Sequence, residues 1–110
     1  MTPQDTAKIL IDIVSDLGKA QRALESFVKS EELPKAERDY QKAKALASVR
    51  MRADGKAVGD VTNELKGMVC DELFRRDSAE IKFTALKSKL KVLSDQLSGY
   101  QSVNKYLDVV

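Results

Sequence analysis

The apolar residues of the first thirty positions recur at alternating spacings of three and four. This is the a/d pattern of a helix that packs along another helix. Thr2 and Pro3, followed by Asp5, supply an N-cap, a proline at the first helical position and an acid in the first turn. We therefore predict a helix over about residues 3–29. Its seam comprises Leu10, Ile13, Leu17, Ala20, Leu24 and Phe27.

The stretch "KSEELPKAE" interrupts this pattern. Pro34 lacks an N–H group and disfavours helical geometry at Leu33. We predict a kink or a short break near Ser30 to Pro34, and a second helix over about residues 34–53. Most residues on its apolar side are small, which indicates close approach of a partner helix: Ala36, Tyr40, Ala43, Ala47 and Met51.

The segment "ADGKAVGD" predicts a bend over residues 54–60. Asp54 and Gly55 end the second helix, and Asp60 or Thr62 can cap the next one. The glycines lack the spacing of a phosphate-binding loop, and a calcium loop here would place arginines where carboxylates belong. The segment is thus best interpreted as the turn of a helical hairpin.

A third helix is predicted over about residues 61–107, where no proline occurs. It would be about 70 Å long, and the first two helices together match its length. We predict a single domain, residues 1–110, with an all-α fold. It would be an elongated, coiled-coil-like antiparallel hairpin in which a kinked first helix and the second helix pack along the third. This register pairs Tyr40 with Phe74, Phe27 with Lys87 and Leu17 with Leu97. The third helix's seam is Ala79, Phe83, Leu86, Leu90, Leu93, Leu97, Tyr100 and Leu107.

A second stripe of apolar and small residues lies opposite that seam. A helix with two such faces favours two partners, so we predict that the protein self-associates as a homo-oligomer. The alternative is a set of scattered exposed apolar residues, which any surface permits. The candidate oligomer interface is Cys70, Phe74, Ile81, Ala85, Val92 and Val103.

Composition argues against catalysis. The 110 residues include no histidine, one cysteine and only 5% aromatic residues, and the net charge is +2. Without histidine the chain lacks the usual near-neutral base and imidazole metal ligand. The adjacent acids Glu31-Glu32 and Asp71-Glu72 resemble the carboxylates of helical magnesium-dependent pyrophosphohydrolases, but adjacent helical residues point about 100° apart. We predict a non-enzymatic cytoplasmic protein with no catalytic, metal or cofactor site and no membrane contact.

One ridge of cations suggests a ligand. Lys35, Arg38 and Lys42 follow an i, i+3, i+7 spacing on the outer side of the second helix. Such a ridge can track a phosphate backbone. Glu37 and Asp39 flank it, so a merely solvated face is the alternative. The candidate nucleic-acid contacts are Lys35, Arg38, Lys42, Arg50, Arg52 and Lys56.

The order "DYQKAKALASVRMRADGKAVGDVTNELKG", followed by "AEIKFTALKSKLKVLSDQLSGYQSVNKYLD", resembles small helical proteins of tailed phages. Its layout is similar to that of phage recombination mediators of the UvsY type. The resemblance implies an oligomer that contacts single-stranded DNA or a recombinase and assists phage DNA recombination or replication in the host cytoplasm. The alternative is a protein-binding module, which acts in virion assembly or inhibits a host protein.

Overall fold

The computed structural model of the chain describes residues 1–55 and 64–109, with side chains up to Leu107. These ranges contain three long helices: α1 (Pro3–Ser30), α2 (Glu32–Ala53) and α3 (Cys70–Val109). They contain no strand, which confirms the all-α class. None of the described helices is long and apolar enough to cross a membrane.

Helix α1 begins with a reciprocal capping box. The Asp5 N–H donates to Thr2 Oγ1 at 3.2 Å, and the Thr2 N–H donates to Asp5 Oδ2 at 3.1 Å. These bonds satisfy backbone donors that the first turn of a helix leaves unpaired. Hydrogen bonding with Thr2 also lowers the pKa of the Asp5 carboxyl below its ordinary value.

The break between α1 and α2 is a single residue, Glu31, in the left-handed helical region with φ 55°. Helix α2 then begins at Glu32, two residues before the start predicted from the sequence, and includes Pro34 in its first turn. A proline is tolerated there because the first N–H groups of a helix have no partner within it. The helix break therefore lies at Glu31, three residues before Pro34 and within the predicted range of Ser30 to Pro34.

Helix α2 ends at the predicted stop. The Asp54 N–H donates to the Arg50 carbonyl and the Gly55 N–H to the Arg52 carbonyl. Gly55 has φ 75°, a conformation that glycine adopts without steric cost. The rest of the predicted bend, and the caps expected at Asp60 and Thr62, lie outside the described residues.

The third predicted helix has an interruption. Residues 64–68 are helical, Val69 is a turn, and α3 continues from Cys70. Helical hydrogen bonds nevertheless run through this point, from Val69 N to Leu65 O and from Leu73 N to Val69 O. Gly67, which has low helix propensity, precedes the irregularity. The sequence predicts one unbroken helix here, whereas the structure has a turn at Val69 across which helical hydrogen bonds continue. The predicted start of this helix, at residues 61–63, lies outside the described residues.

The chain forms two compact units, which we describe separately. The first comprises Met1–Lys29 and Thr84–Val110. Thr6, Ile13, Ala20 and Phe27 are its buried residues on α1. The leucines of the predicted α3 seam in this unit are all partly buried. Leu97 lines a shallow groove together with Leu10 and Val14.

The second unit comprises Ser30–Phe83. Its core cluster consists of Ala47, Met51, Leu65 and Val69, with Tyr40 and Ala43 packed against it. Within this unit α2 runs antiparallel to the start of α3, because Glu32 pairs with Lys82 and Glu37 pairs with Arg76. The single domain predicted for the whole chain stays a prediction.

Candidate nucleic-acid interface

The cation ridge lies on the side of α2 that faces away from the core of the second unit. Tyr40, Ala43, Ala47 and Met51 occupy the packed side. Lys35, Arg38 and Lys42, three and four residues apart, are exposed on the other side. The helix as a whole carries six cations and three carboxylates. We call Lys35, Arg38 and Lys42 the α2 ridge.

Two of the three α2 carboxylates face α3 and pair with its cations. Glu37 Oε2 lies 3.6 Å from Arg76 Nη1, and Gln41 Nε2 donates to Glu37 Oε1 at 2.9 Å. Lys82 Nζ donates to Glu32 Oε2 at 3.3 Å. Glu37, which the sequence suggested as a neutralising neighbour of the ridge, is therefore engaged elsewhere.

The ridge cations themselves have no such partner. Among the described residues, neither Lys35, Arg38 nor Lys42 forms an ion pair within 4.0 Å. Asp39 is the remaining α2 carboxylate, and it is exposed beside them. The outcome is a line of three cations along about two turns of helix, with Asp39 as the one α2 carboxylate that does not pair with the described part of α3.

The other predicted cationic contacts lie at the end of α2. Arg50 and Arg52 are exposed in its last turn. Cations there also interact favourably with the negative end of the helix dipole, so these residues have a structural role independent of any ligand. Lys56 lies outside the described residues. The structure thus groups Lys35, Arg38 and Lys42 as one surface, and places Arg50 and Arg52 at the helix terminus.

Arg76 is the central side chain that the sequence reasoning missed. Its guanidinium carbon lies 4.5 Å from the centroid of the Tyr40 ring, where the sequence predicted Phe74. Arg76 also donates two hydrogen bonds to Asp77 Oδ1, at 3.2 Å and 3.0 Å, which raise the pKa of its guanidinium. The sequence contains a signal for this contact, because Arg76 precedes Ala79 by three residues and so lies on the seam side of α3.

The candidate oligomer interface is exposed in both units. In the second unit, Phe74 is 73% exposed and Ile81 is 69% exposed, and Cys70 is exposed as well. In the first unit, Val92 and Val103 are 55% and 39% exposed, and Ala85 is exposed. The chain itself does not bury these residues, while their burial by another copy stays a prediction.

The described residues contain no cluster of three or more histidine, cysteine or acidic side chains that could hold a metal ion. Glu32, one of the acids weighed for magnesium, pairs instead with Lys82.

No family model matches the chain, and the searches of curated proteins and of solved structures found no match either.

Proposed function

We propose that the protein is a non-enzymatic, self-associating helical accessory protein that binds single-stranded nucleic acid through the α2 ridge. Its place would be phage DNA recombination or replication, where it would present the strand to a recombinase or another replication protein. In this proposal the two units belong to one antiparallel hairpin, and several copies assemble so that their ridges act together.

One observation carries the proposal, namely the separation of charges around α2. Glu32 and Glu37 pair with cations of α3, whereas Lys35, Arg38 and Lys42 have no ion-pair partner among the described residues. Exposed cations without partners can neutralise phosphates and release the counterions that surround them. A ridge that served only solubility would gain from local carboxylate pairs, which stabilise helices modestly.

The test is retention of a labelled single-stranded oligonucleotide as a function of salt. We expect the parent protein to bind at about 50 mM salt and to weaken steeply as salt increases, because counterion release drives such binding. Replacing Arg38 and Lys42 by Gln should weaken binding and flatten the dependence of log K on log salt. On a single strand, each phosphate that the protein no longer neutralises should reduce that slope by about 0.7.

The matched control replaces Lys8 and Lys19 by Gln. Both are exposed lysines of α1, so the control removes the same charge from a different surface. If the two double variants weaken binding equally, net charge rather than the ridge is responsible. Absence of any salt-dependent binding by the parent would refute the nucleic-acid function.

The second candidate function is a protein-binding module, for virion assembly or inhibition of a host protein. The exposure of Phe74 and Ile81 favours it, because large apolar side chains on a surface are typical of protein interfaces. It becomes the leading proposal if the oligonucleotide test fails.

A further inference from the structure

A groove in the second unit lies between α2 and α3, beside the exposed ring of Phe74. Its lining includes the small residues Ser30, Ala36 and Ser78, which leave the space open between the two helices. Phe74 itself lies on the α3 side and is 73% exposed. We call this surface the Phe74 groove.

The second unit exposes several large apolar side chains beside its small buried core. Its buried apolar residues within the described ranges are Ala47, Met51, Leu65, Val69 and Ala79. An equal number of large apolar residues in the same ranges is exposed, namely Leu46, Val49, Met68, Phe74 and Ile81. Ile81 follows Phe74 by seven residues and so lies on the same side of α3. Among the described residues of the unit, none covers Phe74 and Ile81 on this side of α3.

The charges of the groove indicate which partner fits. Acids and cations both line the groove, namely Glu32, Asp39, Glu72, Lys35 and Arg75. Glu32 pairs with Lys82, and Glu72 lies 4.0 Å from Arg75, so Lys35 and Asp39 are the groove charges without an ion pair among the described residues. A two-fold related copy presents these two charges in reverse, so Lys35 of one copy can meet Asp39 of the other.

We propose that the Phe74 groove is a self-association site, in which Phe74 of each of two copies inserts into the groove of the other. Buried aromatic side chains commonly supply most of the binding energy of an interface. Lys35 and Arg75 line the groove, and cations of this kind interact favourably with the face of an aromatic ring. This inference rests on one part of the proposed function, the self-association of the chain. It does not depend on nucleic-acid binding.

Sedimentation equilibrium without nucleic acid tests the inference, so its failure is distinguishable from failure of oligonucleotide binding. We expect the parent to associate in the micromolar range and Phe74→Ser to raise the dissociation constant by about tenfold or more. Ala36→Leu should raise it similarly, because the new side chain fills the groove from its own chain. Leu46→Ser is the matched control, since Leu46 is 64% exposed in the same unit but does not line the groove.

A parent that remains monomeric into the millimolar range would overturn the proposal. So would equal effects of Phe74→Ser and Leu46→Ser, which would indicate general surface hydrophobicity. An Ala36→Leu variant that keeps its helix content by circular dichroism and associates like the parent would show that the groove is not the contact.

Discussion

Glu31 is the one described non-glycine residue with positive φ, and replacing it by glycine should stabilise the protein. A left-handed conformation costs an ordinary L-residue about 1 to 2 kcal/mol, because Cβ approaches the backbone too closely. Glycine has no such cost but loses about 0.5 to 1 kcal/mol more conformational entropy on folding. Glu31→Gly should therefore raise the free energy of unfolding by about 0.5 to 1 kcal/mol.

Urea denaturation followed by circular dichroism measures this change, at one fixed protein concentration because association alters apparent stability. Glu31→Ala is the essential comparison, since it removes the charge and keeps the strain. Glu25→Gly, at an exposed position inside α1, should instead lose about 1 kcal/mol. If Glu31→Gly is no more stable than Glu31→Ala, the backbone at this residue is not strained and the reasoning is wrong.

Two further predictions concern the core and the first cap. Met51 is 2% exposed in the core of the second unit, so Met51→Ala should lower the free energy of unfolding, measured by urea denaturation, by about 2 to 4 kcal/mol. Met68→Ala is the control, and because Met68 is 50% exposed it should lower that free energy far less. Equal losses for the two variants would contradict the assigned core. Hydrogen bonding lowers the pKa of the Asp5 carboxyl in the folded state, so the ionised carboxylate adds to the free energy of unfolding. This stabilisation is fully present above the ordinary pKa of 3.8 and is lost as pH falls through the lowered pKa of the folded state. Asp5→Asn should flatten the acid limb of the stability profile below about pH 4, and an unchanged acid limb would contradict the capping role.

The sequence predicted the seams well because their spacing depends only on helix geometry. Every a/d position named on α1 is buried or partly buried, and the same holds for the small residues of α2. Local chemistry also predicted the N-cap at Thr2 and the stop at Asp54 and Gly55, since each involves residues only a few positions apart. The reciprocal bond from the Thr2 N–H to Asp5 was not predicted.

Contacts between distant segments were harder to predict. Arg76 occupies a seam position despite its charge, because its guanidinium stacks on Tyr40 and pairs with Glu37. From the sequence, Glu37 looked like a neighbour that neutralises the ridge. Only the packing of α2 against α3 shows that its carboxylate faces the other way. The left-handed Glu31 was missed because no glycine or asparagine marks it.

The two proposed surfaces differ in the character of their charge, and this difference separates their partners. The α2 ridge has one sign, which suits a polyanion and would repel a second copy of itself. The Phe74 groove mixes signs around apolar and small residues, which suits a copy of the same chain and offers little to a phosphate backbone. Lys35 belongs to both surfaces, so a substitution there would confuse the two effects. Arg38 and Lys42 on one side, and Phe74 and Ala36 on the other, are therefore the positions at which strand binding and self-association can be separated.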